Sequence, residues 1–203
     1  MLKIDLPIKA RSVPLFSSIA LTAITSLVLA SCSMNSPSDL RAQADEQIKS
    51  NNLVEAEKIL KKAAADQEQS NGSRDIQLAP TLTALGNLYI RQGKYAEAAT
   101  LFDRSTDIQQ KAMAPQLVAL TTSLNGKGMS LLGQGKFVAA EQVLQQALAI
   151  REDNLPVGAL PIAESENSLA QLYFQTANTL KLKHYIKRQL ALTKKSKELR
   201  VLR

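Results

Sequence analysis

The chain repeats itself every 42 residues, and this constrains its architecture more tightly than any other feature. Residues 88–102, LYIRQGKYAEAATLF, stand 42 positions before residues 130–144, SLLGQGKFVAAEQVL. At that offset Gly93 falls on Gly135, Lys94 on Lys136, Tyr95 on Phe137, Ala98 on Ala140 and Ile108 on Ile150. A further step brings Tyr89 and Leu131 onto Tyr173, and Gly86 and Gly128 onto Ala170. A step back brings residues 93–102 onto NNLVEAEKIL, residues 51–60. Self-similarity at a fixed period of this size marks a stacked array whose units cannot bury their apolar faces alone. Four units are present, and the outer two are the most degenerate.

Within each unit the apolar spacing is helical. Leu82, Leu85, Leu88 and Tyr89 share one face, and Tyr95, Ala98, Ala99 and Phe102 share another. Between them, RQGK and GQGK supply a glycine where one helix ends and the chain turns. Each unit therefore reads as a helical hairpin. Small residues at Gly86, Ala98, Gly128, Ala140 and Ala147 stand where two helices must approach closely. Prolines in APTL, MAPQL and NLPVGALP separate one hairpin from the next. The low aromatic content of 4%, with no tryptophan, suits close packing through small side chains.

This pattern resembles the tetratricopeptide repeat, and its long period is similar to that of kinesin light chain-like tetratricopeptide repeats. The second unit carries Leu82, Leu85, Gly86, Tyr89, Ala98 and Phe102; the third carries Leu124, Gly128, Leu131, Ala140, Leu144 and Ala147, with Lys127 where a leucine is expected. The fourth keeps Leu169, Ala170 and Tyr173, and the first keeps Ala44, Ala56, Leu60 and Ala63. The resemblance implies an all-α, right-handed α-solenoid of about four antiparallel hairpins over residues 39–200, with units at about 39–70, 78–113, 117–153 and 160–200. The usual period is about 34 residues, so each hairpin has material for about 12 Å more helix.

A separate signal lies at the N-terminus. Residues 1–14 are basic, and residues 15–30, LFSSIALTAITSLVLA, are apolar and uncharged. That layout predicts a secretory signal, because the run is shorter than the roughly 20 residues of a spanning helix. Leu29-Ala30-Ser31-Cys32 resembles the lipobox of bacterial lipoproteins, and Cys32 is the only cysteine. The resemblance implies removal of residues 1–31 and a diacylglyceryl group and N-acyl chain, such as palmitate, on Cys32. Residues 32–38 would be a polar linker from the lipid. Each buried methylene contributes about 0.8 kcal/mol, so two or three acyl chains hold a domain at a membrane. The alternative is an uncleaved signal anchor. Ser33 follows the cysteine, which favours outer-membrane over inner-membrane sorting in the bacterial cell envelope.

The net charge of +7 is uneven: +2 over residues 1–31, −3 over 32–180 and +8 over 181–203. The last stretch is read as a cap, with Leu180, Leu182, Tyr185, Ile186, Leu190 and Leu192 turned inward and the cations outward. Solvation, anionic lipid headgroups, or an acidic partner or wall polymer would each suit those cations. Export disfavours nucleic acid as a partner. Catalysis lacks its materials: His184 is the only histidine, so a metal site with nitrogen or sulfur ligands cannot be assembled within one chain. Glu152–Asp153 and Glu164–Glu166 read as a solvated loop and helix start. The expectation is a non-enzyme with no cofactor beyond the lipid and no metal.

A binding module remains. In the resembled family the first helix of each hairpin lines a concave groove, where asparagines grip a peptide backbone because an amide both donates and accepts. Alignment on LGNLY places Asn125 and Asn167 at the first such position, with Thr83 in register but departing from the pattern, and Asn87, Met129 and Gln171 one turn further; these six are the groove candidates. Plain exposed helix positions are the alternative. The functional expectation is a lipid-anchored scaffold or adaptor for a protein or peptide partner in the envelope. Its rivals are a structural homo-oligomer and a cell-wall accessory enzyme, the latter requiring a carboxylate pair that converges in the groove.

Overall fold

The computed structural model describes residues 36–113 and 116–178, together with Lys181, Lys183, Ile186, Lys187, Leu190 and Ala191 in a further helical stretch. Cys32, the segment before it and His184 lie outside the described residues. Seven helices are delimited among the described residues, and no strand: α1 Pro37–Lys49, α2 Leu53–Asn71, α3 Leu78–Arg91, α4 Tyr95–Gln110, α5 Leu117–Gly133, α6 Phe137–Asn154 and α7 Leu160–Gln175. The chain is an all-α solenoid of antiparallel hairpins.

The turn within each hairpin is the same in all four units. Asn51, Gly93, Gly135 and Ala177 are 42 residues apart and adopt positive φ of 61°, 73°, 75° and 52°. After each, a backbone N–H reaches back to the carbonyl five residues earlier: Asn52 to Gln47, Lys94 to Tyr89, Lys136 to Leu131 and Asn178 to Tyr173, at 2.8–2.9 Å. This is a Schellman closure, which satisfies carbonyls that the helix end would leave unpaired. Glutamines beside two of the turns bind the preceding unit. Gln92 Nε2 donates to the Leu53 carbonyl at 3.5 Å and Gln134 Nε2 to the Tyr95 carbonyl at 3.0 Å.

The helices pack through the expected faces. Ala44, Ala56, Leu60, Leu85, Leu88, Tyr89, Ala98 and Phe102 form one continuous core across the first two units. Leu132, Ala140, Leu144, Leu148, Ile162, Leu169, Leu172 and Tyr173 form another across the last two. The Phe102 ring, fully buried, is wedged between α3 and α5, where a Cβ on Gly86 or Gly126 would stand 2.8 Å or less from it. Gly128 makes the same room for Leu144. Lys127, where a leucine is expected, reaches Asp103 on α4 with its ammonium at 2.5 Å.

Three expectations are corrected. Glu166 is fully buried rather than solvated, since two residues along a helix carry it to the far side from exposed Glu164. Glu152 and Asp153 are exposed but helical, because α6 runs to Asn154. In the last helical stretch Ile186 and Leu190, expected to face inward, are 49% and 67% exposed, as no further hairpin among the described residues covers them.

Candidate partner-binding groove

Which helices face inward follows from second-neighbour packing. The odd-numbered helices touch one another in sequence, α1 on α3, α3 on α5 and α5 on α7. Among the described residues the even-numbered helices make no such contact. The array therefore curves toward the odd helices, which line the inner face, while α2, α4 and α6 splay on the outer one.

The six groove positions fall on these inner helices in two rows. Thr83, Asn125 and Asn167 form the first row, and Arg41 stands in register on α1. Its members are partly committed to joining helices. Thr83 Oγ1 lies 2.9 Å from both Ser105 Oγ and Ser123 Oγ. Asn125 Nδ2 donates to Ser168 Oγ on α7 at 3.0 Å, and Arg41 Nη1 donates to Thr81 Oγ1 on α3 at 3.2 Å. Thr83 and Asn125 are half-buried, while Asn167 is exposed. In the second row Asn87 and Gln171 are exposed, and Met129 is half-buried against the second core. Asn87, Asn167 and Gln171 thus present accessible amides along the inner face, on α3 and α7.

Beneath this face runs a polar seam that the sequence reading missed. At each junction between hairpins, a residue late in the even helix meets a hydroxyl in the following odd helix. Thr81 Oγ1 donates to Gln67 Oε1 at 2.6 Å, Gln109 Nε2 to Ser123 Oγ at 2.9 Å and Arg151 Nη1 to Ser165 Oγ at 2.8 Å. Both sides keep the 42-residue spacing, so the signal was present but carried by polar residues that change type. Arg151 is only 2% exposed. Its Nε donates to Thr121 Oγ1 at 2.9 Å, Nη1 also donates to the Pro161 carbonyl, and Glu164 Oε2 lies 3.6 Å away. Burial pulls the guanidinium pKa down, and Glu164 opposes this.

A second device, also unforeseen, recurs two units apart. The Tyr89 hydroxyl donates to Glu57 Oε1 at 3.2 Å and the Tyr173 hydroxyl to Glu141 Oε1 at 2.8 Å. Lys61, at 2.6 Å, is the chief cause that holds the Glu57 carboxyl down at about 2, with Lys94, Gln92 and Tyr89 also contributing. Lys181 likewise lowers Glu141, from 2.5 Å, while its Nζ sits 5.2 Å from the Tyr173 ring centroid. These clusters fasten outer helices to the next hairpin turn. Among the described residues no group of three His, Cys, Asp or Glu is gathered to hold a metal.

The sequence profile of the tetratricopeptide repeat matches residues 48–111 and 82–153, which together span just over half of the chain. The chain belongs to the tetratricopeptide repeat family. Repeats of this family indicate a protein-interaction scaffold. Solved structures share the fold. A variant form of the kinesin light chain TPR-like repeats from Podosopora anserina superposes with a TM-score of 0.68 at 18% identity, over 80% of this chain and 76% of that one. Another structure of those repeats gives 0.65 at 17% identity, over 88% and 87%. BtubC (BKLC) from P. vanneervenii gives 0.67 at 20% identity, over 91% and 75%. No curated protein matches the chain.

Proposed function

We propose that this tetratricopeptide protein is a lipid-anchored scaffold of the bacterial cell envelope, with an extended protein segment as its partner along the inner face. One observation carries the binding reading: Asn87, Asn167 and Gln171 hold open amides along the inner helices. Side-chain amides pair with backbone N–H and C=O groups without regard to the partner's side chains. The anchor reading is supported by the LASC sequence at Cys32 and the +8 charge after residue 180, which complements anionic headgroups. Anchoring raises the local concentration of both components, so a weak groove suffices. The membrane is the outer one by the Ser33 argument.

Two measurements test the halves separately. Intact mass of membrane-extracted protein should match residues 32–203 plus acyl chains, and Cys32→Ala should abolish that species. An unmodified full-length mass would refute anchoring. A photo-crosslinking amino acid at Asn87 or Asn167 should capture a partner in cells that the same probe at exposed Thr100, on outer helix α4, does not. Equal capture from both faces would refute the groove.

A further inference from the structure

Ile48, Ile90, Leu132 and Phe174 are 42 residues apart, each in the last turns of an odd helix. The first two pack against the first core, and Leu132 is 4% exposed within the second. Phe174 is 73% exposed. The fourth unit therefore keeps an apolar knob where a solvated cap would carry a polar residue. The helical stretch after it continues the theme. Lys183, Ile186, Lys187 and Leu190 are all exposed and lie within about 100° of one another around a helix axis.

We infer that this end of the solenoid lies in the interface of an anionic bilayer, with Phe174, Ile186 and Leu190 entering the headgroup–acyl boundary and the lysines pairing with headgroups. An exposed face that mixes lysines with large apolar side chains suits that boundary, where both find their preferred surroundings. The net +8 over residues 181–203 selects the anionic membrane as occupant: a second copy would bring the same charge against itself.

The inference deepens the anchor reading and gives it geometry. Cys32 stands four residues before Ser36, the cap of α1. Four residues reach at most about 14 Å, so the lipid would hold the first hairpin close to the bilayer. Helix α1 touches only α2 and α3 among the delimited helices, and α7 touches only α5 and α6, so the helix that follows Cys32 in sequence and the one that carries Phe174 stand at opposite ends of the array. Attachment at both ends lays the solenoid along the membrane instead of letting it swing from one tether.

The chain contains no tryptophan, so Ile186→Trp creates a single reporter at an exposed site. It is read in the full chain carrying Cys32→Ala, against phosphatidylcholine vesicles with or without phosphatidylglycerol. The expected result is a blue-shifted emission, quenched by lipids labelled near the acyl carbonyls, with anionic vesicles only. Lys183→Glu with Lys187→Glu should weaken that response about tenfold or more. Residues 1–31 are common to every variant and carry no tryptophan, so the emission shift reads entry of this helical stretch into the bilayer and not attachment through the apolar run. Leu190→Trp repeats the measurement should the first variant fold poorly. Emission that stays water-like with anionic vesicles would overturn the inference. So would a blue shift that grows with protein concentration in the absence of lipid, or one produced by polyglutamate and not by vesicles. Because Cys32 is absent from the assay, failure here leaves the acylation result standing, and the reverse.

Discussion

The Phe102 wedge yields the sharpest prediction, because two glycines face one ring. A Cβ built on Gly126 lies 2.3 Å from Phe102 Cε1, and one on Gly86 lies 2.8 Å from Cζ. The ring cannot retreat from one glycine without meeting the other. Gly126→Ala should gain about 1 kcal/mol in helix propensity but lose about 1–3 kcal/mol to overpacking, a net destabilisation of about 1 kcal/mol. Phe102→Ala should cost about 3–5 kcal/mol by leaving a cavity. In the Phe102→Ala background the obstacle is gone, so Gly126→Ala should stabilise by about 1 kcal/mol. The two changes are thus coupled by about 2 kcal/mol, well outside the additivity of independent sites. Urea unfolding followed by far-ultraviolet circular dichroism measures all four corners of the cycle, with unchanged m-values as the check on comparability. If Gly126→Ala destabilises equally in both backgrounds, the ring is not what requires glycine there, and the wedge argument fails.

Three further outcomes are expected. Ala177→Gly should raise stability by about 0.5–1 kcal/mol in the same assay, since alanine there holds a left-handed φ of 52° that costs about 1–2 kcal/mol and glycine returns part of this as unfolded-state entropy. Glu57→Gln should be less stable than the parent at neutral pH. Because the folded carboxyl lies at about 2, below its ordinary 4.5, its contribution is present above that ordinary value and is lost as pH falls, so the two acid-unfolding curves should converge near pH 2. Arg151→Met should cost about 2–4 kcal/mol by leaving the Pro161 carbonyl and the hydroxyls of Thr121, Thr122 and Ser165 without their donor, and Arg151→Gln should cost less, since Gln109 fills the equivalent place one unit earlier. Equal losses for the two Arg151 variants would count against equivalence of the junctions.

The apolar frame was legible in the sequence because burial demands the same kind of residue in each unit. Leu82, Ala98, Phe102 and Ala140 follow from period and spacing, Ala56, Leu60, Leu144 and Leu169 from the resemblance to the tetratricopeptide repeat, and all are buried. The turns were half legible. Gly93 and Gly135 announce a positive φ, whereas Asn51 and Ala177 adopt it because the flanking helices and their closing hydrogen bonds impose it. On the inner helices the two rows of candidate positions follow from register, but the commitment of each side chain does not. Thr83 and Asn125 find hydroxyls at Ser123 and Ser168 only once α3, α5 and α7 are stacked. The exposure of Ile186 and Leu190 was misjudged for a related reason: amphipathic spacing shows that a helix has an apolar face, and leaves open whether anything stands opposite.

The polar seam shows what a repeat needs beyond its apolar register. Leucine and alanine tolerate a slip of one hairpin over the next, because one aliphatic contact resembles another. A buried glutamine does not, since losing its hydroxyl costs about 1–3 kcal/mol of unmet desolvation. Gln67–Thr81, Gln109–Ser123 and Arg151–Ser165 therefore set the offset of each hairpin on its predecessor, and through it the spacing of the inner helices that carry Asn87, Asn167 and Gln171. The change to arginine comes at the last of these junctions, where the guanidinium also reaches Thr121, Thr122 and the Pro161 carbonyl. An inner hairpin is gripped by junctions on both sides, whereas among the described residues α7 meets a seam only at this one. Arginine's five donors tie α5, α6 and the start of α7 together where a glutamine's two could not.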